Sequence, residues 1–404
     1  MKKQCTPSER KMEALLGSDP LADALREKVR EMILTLVEAE LTEVLSAMPY
    51  ERTGARKGYR NGSKQRSLTT GLGKTTIDMP RARVVSSDGE KEWESRLVER
   101  YQRRSVSVDG ALLGAYLTGT NQGRIKGALS PLLRGAPLSK SAISRVVGRL
   151  KDLFDRWKKH NLGEERIIFL YLDAIALRVR IARRVVSAPV LVALGVRANG
   201  HKEILDMELL VSESADAWGG LLNRLIDRGL RRPRLCIIDG NKGLRSAVDT
   251  HWPGMAVQRC VVHKLRNLER YVPKHATEEV KTEYNRIVYA DSLRAARKAY
   301  NEFVAKWSKL TPKVAESIEE AGQELLTFYQ FPQSQWKSLR STNIIERLNG
   351  EFRRRVKTQG SLPNTQAAEL LFFGLLFSGQ IKMQRVGGWQ ELNQIPDNLT
   401  QEAA

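Results

Sequence analysis

From residue 20 to 48, apolar side chains recur at helical spacing. Leu25, Val29, Met32, Leu36, Val37, Leu41, Val44 and Leu45 share one side of a helical wheel. The pattern predicts one amphipathic helix, used either for packing or for dimerisation. Residues 105–160 read as helical again, in three short pieces with breaks near Gly119 and at Gly135-Ala136-Pro137. The last piece opens on Ser139, a suitable N-cap, and runs through Ile143, Val146, Val147, Leu150 and Phe154. The middle of the chain changes period. Ile167 to Val179 is a strand-like run, and the runs Val190–Val196 and Ile204–Val211 flank Asn199-Gly200, a pair suited to a tight hairpin. A helix over 214–229 follows, then the short buried strand Leu235–Ile238, a helix from about Lys242 and a brief strand near Met255–Gln258. Residues 276–330 are helical and charged, with no strand signal, and precede a helix starting near Asn343.

The order β-β-β-α-β-α-β, three antiparallel strands and then alternating helices and strands, matches an RNase H-like core. The expected class is therefore α+β with mixed α/β layering: such a core, an α-helical insertion, and a mostly helical N-terminal region before it. The segments predicted are 1–50 (amphipathic helix), 51–104 (basic and Gly-rich), 105–163 (helical), 164–275 (first part of the core), 276–335 (insertion) and 336–404 (C-terminal helices).

Charge sharpens this picture. The 404 residues carry 67 Lys plus Arg against 46 Asp plus Glu, a net charge of +21 spread along the whole chain. A surplus of that size calls for a polyanionic partner, and nucleic acid is the usual one. Between residues 51 and 83, Arg56, Arg60, Lys64, Arg66, Arg81 and Arg83 are set among glycines, and only Glu51 and Asp78 oppose the segment's cations. Basic side chains on a Gly-rich backbone can follow a phosphate surface closely. The helix after Ser139 presents Lys140, Arg145 and Arg149, which suggests a helix-turn-helix reader of the major groove, although many helical bundles look the same. Arg353 and Arg354 complete the expected DNA-contacting set. Three cysteines, Cys5, Cys236 and Cys260, do not suggest a disulfide framework and fit a reducing compartment. The N-terminal residues have no apolar core segment, and Leu370–Phe377 is too short to span a bilayer. A soluble cytoplasmic, nucleoid-associated protein with no small-molecule substrate is expected.

Three acids stand out, each with a plain alternative. Asp173 interrupts the apolar run 167–177, where an ionised carboxylate is costly unless a cation compensates it; a strand edge meeting water would serve equally. Asp239 ends the strand 235–238 ahead of Gly240, a place where sheets display functional side chains; an ordinary Asp-Gly turn reads the same. Glu346 faces away from Ile344, Ile345, Leu348 and Phe352 and has no cation at helical spacing, whereas Glu351 has Arg347, Arg354 and Arg355. Asn343-x-x-Glu346 also fits a capping box. Three such carboxylates can hold two divalent cations about a scissile phosphate. One cation activates the attacking water or 3′-hydroxyl and the other stabilises the leaving oxygen. Oxygen ligands suit magnesium, with manganese as a substitute.

Several blocks resemble the bacterial Mutator-type transposases. They are Tyr59-Arg60-Asn61-Gly62 and Pro80-Arg81-Ala82-Arg83; Trp252-Pro253 with Gln258-Arg259-Cys260-Val261-Val262-His263-Lys264-Leu265-Arg266-Asn267; and Phe331-Pro332, Trp336-Lys337 and Ser341–Asn349 through Arg353-Arg354-Arg355. The resemblance spans roughly residues 20–380. It implies an Asp-Asp-Glu triad of Asp173, Asp239 and Glu346 acting as catalytic metal ligands, with an insertion ahead of the Glu. It implies binding to the terminal inverted repeats of an element, 3′-end strand transfer into double-stranded target DNA, and a homodimer pairing two ends. Cys260 and His263, with Asn343 and Asn349 beside the Glu, are expected as structural neighbours of the site. A zinc site adding Cys236 and His251 is the weaker reading, since the spacing gives one compact pair only. Two departures are Thr118–Ile125, which lacks the relatives' Ser-Thr-Arg, and Asn241, where relatives often have His. The alternatives are a catalytically inactive DNA-binding regulator and an RNase H-like nuclease that cuts without joining.

Overall fold

The computed structural model describes residues 19–394 except 88, 120–124, 126–127, 130–132, 134–138, 165, 182, 358–361 and 363. The chain divides into two compact units, 1–149 and 150–404. The middle of the three helical pieces expected over 105–160, and with it most of the helix-turn-helix reading, lies outside the described residues.

In the first unit, α1 (Pro20–Leu45) is capped by Asp19, whose carboxylate accepts from the Ala22 N–H at 3.0 Å. It packs on a sheet that the apolar pattern did not predict: β1 (Gly58–Thr70), β2 (Gly73–Ser86) and β3 (Gly89–Glu92), antiparallel in that order. Thr70 pairs with Gly73 across a two-residue turn. Alternation along β2 buries Thr75, Ile77 and Met79 on one face, and Ile77 and Met79 meet Val37, Leu68 and Val98. Leu41 and Leu45 close over Ala82. Leu25, Met32 and Leu36, placed on the same stripe by sequence spacing, are exposed. β1 hides its strand character because it holds few apolar residues and slips register between Arg60 and Ser63, at Asn61-Gly62. α2 (Val106–Leu117) and α3 (Lys140–Lys158) follow, and the boundary between the units falls within α3.

The second unit is built on a five-stranded sheet of order β6-β5-β4-β7-β8. β4 (Ile167–Ile181), β5 (Arg184–Arg197) and β6 (Lys202–Leu209) are antiparallel neighbours, and Gly200 takes φ 81° in the turn joining β5 to β6. β7 (Leu235–Ile238) runs parallel to β4, and β8 (Val257–Arg259) parallel to β7. Helices α4 (Ala215–Asp227) and α5 (Lys242–His251) cover one face. There Trp218, Leu221, Leu225, Leu244 and Val248 meet Leu170, Leu172, Cys236 and Ile238. Period-2 alternation turns Phe169 and Tyr171 to the other face. Phe169 lies edge-on to Phe331, and the Tyr171 hydroxyl donates to the Ser338 carbonyl at 3.0 Å.

The expected helical insertion is α7 (Thr277–Val288), α8 (Leu293–Leu310) and α9 (Pro312–Ala321), with 3-10 turns over Gly322–Leu325 and Thr327–Gln330. Its last part seals the open edge of β8. The buried Gln258 amide donates to the Arg259 and Leu325 carbonyls, and its oxygen accepts from the Phe328 N–H at 2.8 Å. α10 (Gln333–Leu339), α11 (Asn343–Lys357) and α12 (Thr365–Phe377) complete the unit, with Phe352 stacked on Phe372 at 3.8 Å between ring centres.

Candidate active site

Parallel pairing sets two of the three acids side by side. Leu172 pairs with Ile238, so Asp173 and Asp239 each stand one residue beyond the last β4–β7 pair. Ile238 pairs with Arg259, which puts Cys260 in the same row. The row lies just past the C-terminal end of β7, where β4 leaves its pairing with β7 and runs on to Ile181; the C-terminal end of a parallel strand is where open sheets form ligand sites.

Asp173 is 4% exposed. Its Oδ1 accepts from the Ala174 N–H at 2.8 Å, while Oδ2 is buried with no hydrogen-bond partner. Burial pushes this carboxyl up to about 7; His263 works against the rise and Asp239 adds to it. An orphaned, buried carboxylate oxygen beside a second acid is the setting a divalent cation would satisfy.

Asp239 is held by its turn. Its Oδ1 accepts from the Asn241 N–H at 2.9 Å, and the Asn241 side chain caps α5 through the Gly243 and Leu244 N–H groups. Gly240 takes φ 103°, and a Cβ there would meet Arg259 Nη2 at 2.5 Å. Arg259 cannot readily yield, because Glu320 of α9 accepts from it with both oxygens and also from Lys264 Nζ at 2.8 Å. Gly240→Ala is therefore expected to displace the Asp239 turn. The cost is roughly 1–3 kcal/mol for the backbone conformation alone, with activity falling more steeply than stability. Thermal melts and activity assays on one preparation would check this, and a variant equal to the parent in both would refute it.

Glu346 lies in the first turn of α11. The helix starts at Asn343 itself, and the Ile345 and Glu346 N–H groups bond to the Thr342 carbonyl. The carboxylate is directed not back along the helix but to α6 (Val261–Glu269). Arg266 donates to Oε1 at 2.7 Å, and His263 Nε2 stands 3.6 Å away. Helical spacing placed no cation of α11 at i±3 or i±4 from Glu346, but the fold supplies one from a segment 80 residues distant. Glu351 takes the structural role expected of it, paired with Arg354 at 3.0 Å and Arg355 at 2.9 Å.

The Cys260–His263 pair ties the Glu346 helix to the sheet. Cys260 Sγ accepts from the Thr342 N–H at 3.3 Å and from its hydroxyl at 3.4 Å, and that hydroxyl also meets His263 Nδ1 at 3.4 Å. The Val261 N–H donates to the Arg340 carbonyl. Burial acts to raise the Cys260 thiol, but hydrogen bonds with His263 and Thr342 outweigh it and draw it below the ordinary value. The Cys260 bond pushes His263 up to about 9 against burial, with Asp173 and Asp239 adding. This shift favours the charged imidazole, which would offset the crowding of the acids. The weaker zinc reading is not assembled. Cys236 is buried in the α4–α5 core, and both His251 ring nitrogens are engaged, by Ala247 O and Asn223 Oδ1. Asn343 is exposed, whereas Asn349, one turn beyond Glu346, has its Oδ1 buried without a partner.

Among the described residues no three carboxylate, imidazole or thiol groups converge closely enough to enclose a metal ion. The two aspartates fit one by adjacency and by the orphaned Oδ2; Glu346 faces the same region but is engaged by Arg266. Sequence reading missed Arg266, and also Glu213, which precedes α4. Glu213 accepts from Trp218 Nε1 at 3.2 Å, and burial, with Asp239, raises its carboxyl.

The expected DNA-contacting residues divide into two groups. Arg60 is committed inward to Glu38 and Thr42 of α1, and Arg56 to the Gly58 carbonyl. Arg66 binds the carbonyls of Glu99 and Gln102. Arg81 pairs with Glu92, Arg83 with Glu90, Arg149 with Asp109 and Arg354 with Glu351. The segment's cations are therefore less starved of anions than local sequence implied. Lys64, Arg145 and Arg353 are exposed, and the Lys140 side chain lies outside the described residues.

Comparison with known proteins gives the family. The family described as "Transposase, Mutator family" matches residues 2–382. The chain is 35% identical over 353 residues to the transposase for insertion sequence element ISRM5 of Rhizobium meliloti, covering 87% of this chain and 86% of that protein. It is 31% identical to the transposase for IS256 in transposon Tn4001 of Staphylococcus aureus, over 87% and 90% of the two chains. It is 33% identical to the transposase for IS406 of Burkholderia multivorans, over 93% and 95%. Among solved structures, the Drosophila P element transposase strand transfer complex covers 71% of this chain and 83% of that one at 10% identity, with a TM-score of 0.28, too low to bear on the fold. The class these sequences define is the transposase. This chain belongs to the Mutator family of transposases.

Proposed function

We propose that the protein acts on the terminal inverted repeats of an insertion sequence, cutting the DNA and joining 3′ ends to a target through Asp173, Asp239 and Glu346. The observation that carries this is the shared row of Asp173 and Asp239, each one residue past the last β4–β7 pair, with Cys260 and Thr342 tying the Glu346 helix to that row. The strand order, three antiparallel strands beside a parallel pair, supports an RNase H-like core.

Asp173 and Asp239 are the residues that would hold magnesium, with Glu346 once released from Arg266. The metal would supply Lewis-acid chemistry, activating the attacking oxygen and stabilising the leaving one. The chain's own part is positional. Asp173 is fixed at Oδ1 and open at Oδ2; Asp239 is fixed by its turn; His263 offsets the negative charge; Arg266, 53% exposed, is free to turn to a phosphate. The net charge of +21 supports double-stranded DNA as the partner. Pairing of two element ends argues for a homodimer at the DNA, and the cytoplasm with its nucleoid is where such a substrate lies.

Purified protein with labelled terminal-repeat DNA and magnesium is expected to give nicked and joined products, and none with chelator. Cut ends without joining would support a nuclease, and binding without cleavage a regulator. Either result would overturn the proposal.

A further inference from the structure

We infer that the first unit holds a seat for unpaired DNA, a basic cleft in which Tyr101 stacks on an exposed base. The inference rests on the proposed action on DNA and specifies one form of that substrate. The cleft, about 860 Å³, lies between the β1–β2 sheet and the returning segment 92–104, with Ser139 and Arg145 at its rim. Its two carboxylates are already engaged: Glu92 pairs with Arg81 and Arg100, and Glu94 with Arg100. Lys64, Lys74, Arg103 and Arg145 line it, are exposed, and pair with no carboxylate among the described residues. They leave the cleft with positive charge that no carboxylate among the described residues compensates.

Tyr101 is 83% exposed within this lining. A single exposed aromatic is ordinary by itself; the way this one is held is not. Arg66 is turned inward, its guanidinium donating to the carbonyls of Glu99 at 2.6 Å and Gln102 at 3.1 Å, on either side of Tyr101. The Thr69 N–H binds the Arg103 carbonyl, and the Ser105 N–H the Thr69 carbonyl, both at 2.9 Å. The loop is pinned to β1 from both sides while its aromatic ring faces solvent, with the Arg100 guanidinium 5.7 Å from the ring centre. An intact duplex keeps its base faces stacked inside and gives such a ring nothing to bind. An unpaired strand offers a face at every nucleotide, and cations flanking an aromatic platform are the recurring means of holding one.

The test uses the full-length chain in chelator, so that chemistry plays no part. Fluorescence anisotropy would follow a fluorescein-labelled oligothymidylate of about twelve nucleotides and, separately, a duplex of mixed sequence. Tyr101→Ala is expected to weaken single-strand binding by roughly tenfold, the order of one lost stacked base, and to leave duplex affinity unchanged. Tyr101→Phe is expected to restore it. Lys64→Ala and Lys74→Ala are each expected to lower the single-strand salt slope by about 0.7. Unchanged single-strand affinity in Tyr101→Ala, or an equal loss for both probes, would overturn the inference while leaving the proposed function intact. Failure of the parent to bind either probe would overturn both.

Discussion

Asp173→Asn is expected to abolish strand transfer and, at the same time, to make the metal-free protein more stable at pH 8. The first effect follows from losing a cation ligand at the reacting phosphate. Lewis-acid stabilisation is worth several kcal/mol, so the rate should fall by about a thousandfold or more. The second follows from burial. The carboxyl is raised from 3.8 to about 7 in the folded chain, which corresponds to roughly 4 kcal/mol at most at 1.36 kcal/mol per unit. A group raised on folding contributes its full stability below the unfolded value, and that contribution is lost as pH climbs through the folded one. The parent should therefore lose stability between about pH 4 and pH 7, and the neutral amide should not. A gain of about 1–3 kcal/mol at pH 8, shrinking to nothing near pH 4, is the expected signature. Denaturant unfolding of both proteins across this range reads it directly. An asparagine variant that is less stable at pH 8, or that keeps activity, would remove Asp173 from the site.

The second large effect separates two glutamates five residues apart on one helix. Glu346→Gln is expected to reduce strand transfer by about a thousandfold on the same reasoning, with little change in melting temperature, because its Arg266 partner is exposed. Glu351→Gln is expected to leave chemistry intact and to cost less than about 1 kcal/mol, the range of surface ion pairs, since among the described residues Glu351 pairs with Arg354 and Arg355. The reverse result, inactive Glu351→Gln beside active Glu346→Gln, would refute the assignment. Duplex binding of both variants in chelator should match the parent, which distinguishes lost chemistry from lost DNA affinity.

What was legible in the sequence follows physical lines. β4, β5 and β7 announced themselves because they are buried on both faces and read as continuous apolar runs. Asp173 stood out for the same reason, as a charge in such a run. Gly200 and Gly240 marked turns needing positive φ. The β1–β3 sheet did not announce itself. Its first strand is polar and slips register at Asn61-Gly62, and only β2 carries a short alternation. Helical spacing described the surroundings of Glu346 within its own helix, but Arg266 arrives from α6 across 80 residues. Long-range ion pairs leave no periodic trace, and the same holds for Arg60 with Glu38 and for Arg259 with Glu320.

The grip of Glu320 on Arg259 and Lys264 bears on any effort to trim this protein. Those two cations are 6% and 3% exposed, and their counter-charge comes from α9, not from β8, which carries Arg259, or α6, which carries Lys264. Excising residues 277–330 would leave both cations without Glu320, and Arg259 lies against the Gly240 carbonyl of the Asp239 turn. It would also remove Leu325, Thr327 and Phe328, which now bond to β8. A minimal version would need neutral, well-packed replacements at 259 and 264 and a new cover for β8 before its acids could be expected to stay in register.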